Sequence, residues 1–202
     1  MVSPMRLPPL KLHRWSRTEY DRLIERGLLD MDDRVELLDG LMVVKEPQGS
    51  WHAATVAHVQ GVLQRAFGAH YHVRTHAPIA LDRMSEPEPD LAVVKGRARD
   101  YLREHPATPV LLVEVADSSL AKDRLRKSDL YARAGIAEYW IVNAIDVVLE
   151  VYRQPERAGG TRYGWKYRSV RLLRRNATVS PLAAPRARIR VANLLFEPPR
   201  RV

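Results

Sequence analysis

At 202 residues, with 46% hydrophobic and 28% charged residues, the chain has the composition of an ordinary globular protein, long enough for one domain with a well-buried core. No apolar run approaches the roughly 20 residues of a membrane span, and the absence of cysteine excludes disulfides and thiolate metal sites, which suits a cytoplasmic protein. The formal charge of +9 is uneven: residues 151–202 hold 13 of the 33 Lys and Arg but two of the 24 Asp and Glu, a net +11, leaving 20 basic against 22 acidic residues, or −2, in the first 150. The basic end predicts either a surface facing a polyanion such as nucleic acid or a set of solvated Arg-rich strands, and the carboxylates of any site must come from the earlier part.

Residues 1–14 carry prolines and basic residues without the apolar segment of a secretory signal, and read as an extension. Ser16 followed by Glu19 predicts a capped helix with Tyr20, Leu23, Ile24 and Leu28 on one side, ending near Gly27. Residues 34–44 pass through an Asp39-Gly40 turn, as a helix end or strand, a turn and a strand. Val56, Val59, Val62, Leu63 and Ala66 recur at helical steps and stop at Gly68, which predicts a helix over 51–67. Residues 71–81 read as one or two strands around Pro78.

Glu86-Pro87-Glu88-Pro89 is an extended lead-in that places Asp90 at the entrance of a short strand, 91–94. A basic helical segment is expected near 97–104. Val110 to Ala116 is then an apolar run typical of a strand buried on both faces, interrupted by one carboxylate, Glu114. Ser118 or Ser119 can cap a helix running to Gly135, and residues 138–142, 147–152 and 163–173 are further strands, the last two joined through Ala158-Gly159-Gly160. In the basic end, Val170 and Leu172, and Ala187, Ile189 and Val191, alternate with arginines, which predicts strands with one basic face. Residues 15–195 are read as one domain, with 151–195 its basic β-rich part and 196–202 a tail.

At about 100° per residue, Asp123, Lys127, Leu130, Tyr131 and Ala134 share one side of the helix after Glu114, opposite Lys122, Arg126, Asp129 and Arg133. A lysine on the core side either snorkels out or meets a buried acid, and Glu114 on the preceding strand is the acid available. Such a pair can simply lock helix on sheet. Two converging strand carboxylates, Asp90 and Glu114, repel unless a cation or proton intervenes, and an oxygen-rich site of this kind suits Mg²⁺, which binds phosphate oxygens. Asp117 and Asp123 read as cap and helix-positioning residues, and Tyr139, Trp140 and Ile141 as core. Strand spacing would set His70, His72 and His76 on one face, with no acid fixed beside them.

Pro89-Asp90 followed by Glu114-Val115-Ala116 resembles the PD-(D/E)XK motif of restriction-endonuclease-like nucleases, departing from it where Ala116 stands in place of the motif lysine. Glu36-Leu37-Leu38-Asp39-Gly40, His52, Pro89-Asp90, the run from Leu112 to Ser119, Lys127 and the run from Tyr131 to Val142 together resemble the Uma-two family of restriction endonucleases, over roughly residues 15–195. The resemblance implies an α/β restriction-endonuclease-like core, a central mixed β-sheet flanked by helices, here with a basic β-rich C-terminal extension. It implies a Mg²⁺-dependent endonuclease acting on DNA, with Mn²⁺ as a substitute ion. Asp90 and Glu114 would be metal ligands, the Val115 carbonyl a further oxygen ligand, and Lys127, moved onto the following helix, the phosphate- or water-positioning cation. Glu36 matches the family's N-terminal acid and would hold a second metal or a water, unless it is a helix-end charge or a partner of Arg34. His52 would touch a phosphate or protonate a leaving group, unless it is a surface histidine opening a helix. A homodimer would supply two sites for two strands. The missing lysine at position 116 motivates the alternative, a non-catalytic nucleic-acid-binding protein that keeps the nuclease fold.

Overall fold

The computed structural model describes residues 12–30 and 32–196, so residues 1–11 of the extension and the tail beyond Phe196 lie outside the described residues. In chain order the elements are α1 Arg17–Glu25, β1 Val35–Leu38, β2 Leu41–Val44, α2 Ser50–Phe67, β3 Tyr71–Thr75, β4 Leu91–Lys95, β5 Leu111–Ala116, α3 Leu120–Lys122, a π-helical turn Asp123–Lys127, α4 Ser128–Arg133, β6 Glu138–Asn143, β7 Val148–Arg157, β8 Trp165–Leu173, β9 Thr178–Val179 and β10 Ile189–Arg190. Six strands form one sheet in the order β3-β4-β5-β6-β7-β8, antiparallel throughout except for the parallel pair β5–β6, whose crossover is the helical stretch from α3 to α4. This is the mixed sheet flanked by helices that the sequence predicts.

Alternation along β5 decides the layering. All six of its residues are buried, so both faces of the sheet must be covered. Leu111, Val113 and Val115 join Val56, Val59, Leu63 and Phe67 of α2, together with Val179, Ile189, Leu194 and Leu195 from the basic end. Leu112 and Ala116 face the other way, onto Leu38 of the β1–β2 hairpin and onto Leu120, Leu130, Tyr131 and Ala132 of the crossover. Glu114, between them, therefore points into the layer that holds the hairpin and the crossover.

The hairpin turn at Asp39-Gly40 needs positive φ at both central residues, and they adopt 52° and 78°. Gly40 is also where a Cβ would stand 2.7 Å from Arg14 Cβ, so only glycine fits. Arg133 of α4 ties the turn down through Asp39 at 2.6 Å and Asp82 at 2.9 Å. The capping box of α1 forms as expected, with Ser16 N–H donating to Glu19 at 2.8 Å. Its apolar side is less enclosed than the spacing predicts, since Tyr20 is buried but Ile24 and Leu28 are exposed.

Several elements differ from the sequence expectation. Of residues 71–81 only Tyr71–Thr75 form a strand, β3, after which the chain turns sharply at His76, which has φ 46°. The segment near 97–104 holds a single 3₁₀ turn, Ala98–Tyr101, closed by Arg97 N–H donating to Asp100 at 2.8 Å. The helix to Gly135 is not capped by a serine side chain: Ser119 Oγ donates to Asp123 Oδ2 at 2.6 Å instead, and Ser118 reaches Glu46. In β8 both Val170 and Leu172 are exposed alongside Arg171, so the outer half of this edge strand has no clean apolar face. Charged residues on an exposed edge resist sheet-to-sheet association.

Glu86 bridges the β4 lead-in to the hairpin through backbone bonds with Leu37, and its side chain is almost fully buried. Burial, reinforced by Asp21, pushes its carboxyl from the ordinary 4.5 up to about 7. A raised folded-state value means that the stability linked to this proton is fully present below about 4.5 and is lost as pH rises through about 7. Denaturant unfolding from pH 5 to pH 8 should therefore show wild type losing on the order of 1–3 kcal/mol relative to Glu86→Gln. Parallel pH profiles for the two proteins would contradict this.

Candidate functional site

The register of β4 and β5 creates the site. Leu91 pairs with Val113, so one step further Asp90 stands opposite Glu114, where β4 has given way to the proline-rich lead-in. The strands no longer exchange ladder bonds there, and side chains take over the freed groups. Asp90 Oδ2 accepts from Val115 N–H at 2.7 Å, and Glu114 Oε2 accepts from Asp90 N–H at 3.3 Å. In an extended strand the carbonyl leaves on the same side as its own N–H, so the Val115 C=O also faces this region.

Lys127 arrives from the crossover. The i to i+5 turn, closed by Ser128 N–H donating to Asp123 O, widens the helix beside the sheet, and turns of this kind concentrate at functional sites. Asp123 and Lys127 are buried, as the helical-face reading predicts. Arg124 anchors the turn from its other side, gripping the buried Glu150 of β7 at 3.1 and 2.6 Å. Lys127 Nζ then lies 2.9 Å from Glu114 Oε1 and 3.5 Å from Glu36 Oε2. Tyr131, one turn on, donates to the same Glu114 oxygen at 2.9 Å.

Glu36 is fully buried on β1 and is not a partner of Arg34, which reaches the Glu46 carbonyl instead. One Glu36 oxygen accepts from Glu88 N–H at 3.1 Å; the other, Oε1, is buried without a hydrogen-bond partner among the described residues, with Lys122 Nζ 3.7 Å away. His52, in the first turn of α2, is mostly buried and has Nε2 3.0 Å from Asp90 Oδ1. The structure thus brings Glu36, His52, Asp90, Glu114, Val115 and Lys127 to one cavity region. Glu36, His52, Asp90, Glu114 and Lys127 all line a cavity of ≈ 160 Å³, as do Asp117, Ser119 and Asp123.

Asp90 and Glu114 are pushed apart electrostatically. Burial works against ionisation of Asp90, but the hydrogen bond and charge of His52, the Val115 N–H and Lys127 outweigh it and hold its carboxyl below the ordinary value. Burial pushes Glu114 up to about 8 against the pull of Lys127. Burial also works to strip Lys127 of its charge, yet Glu114 and Glu36 outweigh it and leave the ammonium well above the ordinary lysine value. A charged lysine among carboxylates of which one is easily protonated is a site ready to exchange a cation or a proton.

Sequence reasoning did not place three participants at the carboxylates. Tyr131 was detectable, being four residues after Lys127 on the same face. His76 Nδ1 lies 3.5 Å from Asp90 Oδ1, and Gln48 Nε2 reaches the same oxygen at 3.3 Å and His76 at 3.2 Å. No periodicity announces either, because both sit on irregular backbone. His70 and His72 do not join them: His70 lies in the turn before β3, and His76 follows the strand at its positive-φ bend.

The residues fit a hard divalent cation in kind. They offer carboxylate and carbonyl oxygens, and Glu36 Oε1 is a buried acceptor with nothing donating to it. In the arrangement seen, no group of three or more His, Asp or Glu side chains among the described residues is clustered to hold a metal ion, and the Asp90 and Glu114 oxygens are engaged by His52, Val115, Lys127, Tyr131 and the Asp90 N–H. Loading an ion would exchange some of these donors for the cation.

The fold is similar to the crystal structure of a "putative nuclease belonging to DUF820" from Anabaena variabilis ATCC 29413, with a TM-score of 0.63 and 14% identity over 85% of this chain and 96% of that one. At that identity the likeness speaks for the fold alone. No curated protein matches the chain. The family model Uma2, described as "Putative restriction endonuclease", matches residues 17–192, which span every strand of the sheet and every residue of the cavity. The chain belongs to the Uma2 family, a restriction-endonuclease-like nuclease family.

Proposed function

We propose that this protein is a Mg²⁺-dependent endonuclease that hydrolyses phosphodiester bonds in DNA, with Mn²⁺ able to replace Mg²⁺. The observation that carries the reading is the convergence on Glu114 of Lys127 at 2.9 Å and of the Asp90 N–H at 3.3 Å, from three separate stretches of chain, with Glu36 3.5 Å from Lys127. Asp90, Glu114 and the Val115 carbonyl would hold the ion, with Glu36 a further ligand or the holder of a second ion. A divalent cation in such a place neutralises phosphate charge and makes water a better nucleophile at neutral pH.

The protein's own groups do the rest. Lys127, kept charged by its carboxylates, offsets negative charge as it develops on the phosphate. Tyr131 helps hold Glu114 in place by donating to the oxygen that Lys127 also meets. His52, at the cavity wall, can give a proton to the leaving oxygen from Nε2 when that nitrogen exchanges Asp90 Oδ1, 3.0 Å away, for the substrate.

The basic end supports a polyanionic substrate. Arg186 and Arg188 line one groove with Arg65 of α2. Arg65 is thirteen residues beyond His52 on the same helix, so a backbone tracked from the groove to the cavity would span about 20 Å. A homodimer would bring two cavities to the two strands of a duplex. Incubating the purified protein with duplex DNA should give cleavage with Mg²⁺ or Mn²⁺ and none with EDTA. DNA binding without turnover in any divalent ion would instead support a binding protein that has kept the fold.

A further inference from the structure

Beyond the ion pair of Lys45 and Glu88, which borders the candidate active site, lies a second and larger cavity of ≈ 670 Å³. The two share that pair as a common wall. His76 belongs to both regions: its Nδ1 approaches Asp90, while its ring lines the second cavity. It is held in the left-handed backbone region, where a non-glycine residue is strained, and such strain gathers at sites of binding and chemistry.

The second cavity has mixed walls. Tyr20, Leu29, Val35 and Pro78 supply apolar surface, and its volume falls in the range that encloses a small organic ligand. The Glu86 side chain lines it, in a residue only 3% exposed. Among the described residues no hydrogen bond is donated to that carboxyl, which lines the cavity with the charges of Asp21 and Arg17 nearby. Burial raises its affinity for protons, so the carboxyl is ionised, with both oxygens acceptors, above a pH of about 7. Nothing in the proposed cleavage chemistry uses it.

We infer that this cavity is a base pocket that takes a guanine of the substrate strand next to the cleaved phosphate, read by the Glu86 carboxylate. The inference rests on the nuclease reading above for the occupant's class. A carboxylate presents two acceptors side by side. Guanine is the common base whose Watson–Crick edge carries two adjacent donors, N1–H and N2–H₂, whereas adenine and cytosine set an acceptor beside their amino group and thymine flanks its one N–H with carbonyls. The apolar walls suit the faces of the ring, and extruding a base against such surfaces is how proteins read one without a duplex partner. A strand whose phosphate rests by Asp90 needs only to turn its neighbouring base over the Lys45–Glu88 wall.

Titration of the full-length protein with 5′-GMP, 5′-AMP, 5′-CMP and 5′-TMP by calorimetry tests this, at a pH about one unit or more above 7 so that Glu86 is ionised, and in EDTA so that neither metal nor cleavage contributes. GMP should bind about tenfold or more tightly than the other three. Glu86→Gln should remove the preference while the protein still melts cooperatively. Ile24→Trp, at a half-exposed position on the rim, should weaken all four and serves if Glu86→Gln does not fold. Equal binding of all four, no binding up to millimolar concentration, or a GMP preference that survives Glu86→Gln would overturn the assignment. The two readings fail separately: a protein that cleaves DNA with no GMP preference loses the base pocket alone, and one that prefers GMP but never cleaves loses the nuclease alone.

Discussion

Asp90→Asn and Lys127→Met should each reduce metal-dependent DNA cleavage by about 100- to 1,000-fold or more, while duplex affinity in EDTA stays within a few-fold of wild type. The asparagine keeps the shape of Asp90 and one acceptor for the Val115 N–H, which the carboxylate now meets at 2.7 Å, but removes the charge that a cation would need. The methionine fills the space of the lysine stem without the ammonium that stands 2.9 Å from Glu114. Duplex affinity should survive if the basic end, as proposed, supplies the phosphate contacts. Gel-based cleavage and filter binding on the same preparations check both halves. Activity within tenfold of wild type in either variant would remove that residue from the chemistry.

The second large effect concerns stability. Lys127→Met alone leaves Glu114 and Glu36 buried without their shared cation, at a cost of about 3–5 kcal/mol. Because Glu114 already lies near 8, it can take up a proton and relieve part of that cost, so the lower end of the range is expected. Glu114→Gln with Lys127→Met should recover the part of the loss that belongs to Glu114, since the amide still accepts from Tyr131, while Glu36 keeps Lys122 3.7 Å away. Urea unfolding of wild type, both single variants and the double variant closes the cycle. Additive losses with no recovery would mean that the Glu114–Lys127 contact carries no coupling energy.

What was legible in the sequence divides along physical lines. The two carboxylates could be read because buried strands rarely carry charge, so Glu114 inside an apolar run and Asp90 at a proline-led entrance both stand out. Lys127 could be read because its position on the helical face contradicts its polarity. The hairpin under Glu36 followed from Asp39-Gly40, whose turn demands positive φ. The π-turn at Asp123–Lys127 could not be read, since a one-residue change in hydrogen bonding leaves the inward face almost unaltered. The arrival of His76 and Gln48 at Asp90 depends on irregular backbone around Pro47 and Pro78, where no period exists to count. The length of the helix near residue 100 was overestimated because charged residues with good helix propensity surround a turn closed by one carboxylate. The exposure of Val170 and Leu172 escaped the alternation rule because β8 is the sheet's edge and its outer half lacks a covering layer.

Titrating Mn²⁺ into the protein while following its electron paramagnetic resonance signal tests most directly whether these oxygens hold a divalent ion. Saturable uptake by wild type, lost in Asp90→Asn and in Glu114→Gln but retained in Glu86→Gln, is the result expected. Free Mn²⁺ at every ratio in wild type, or uptake that neither Asp90→Asn nor Glu114→Gln diminishes, would contradict it.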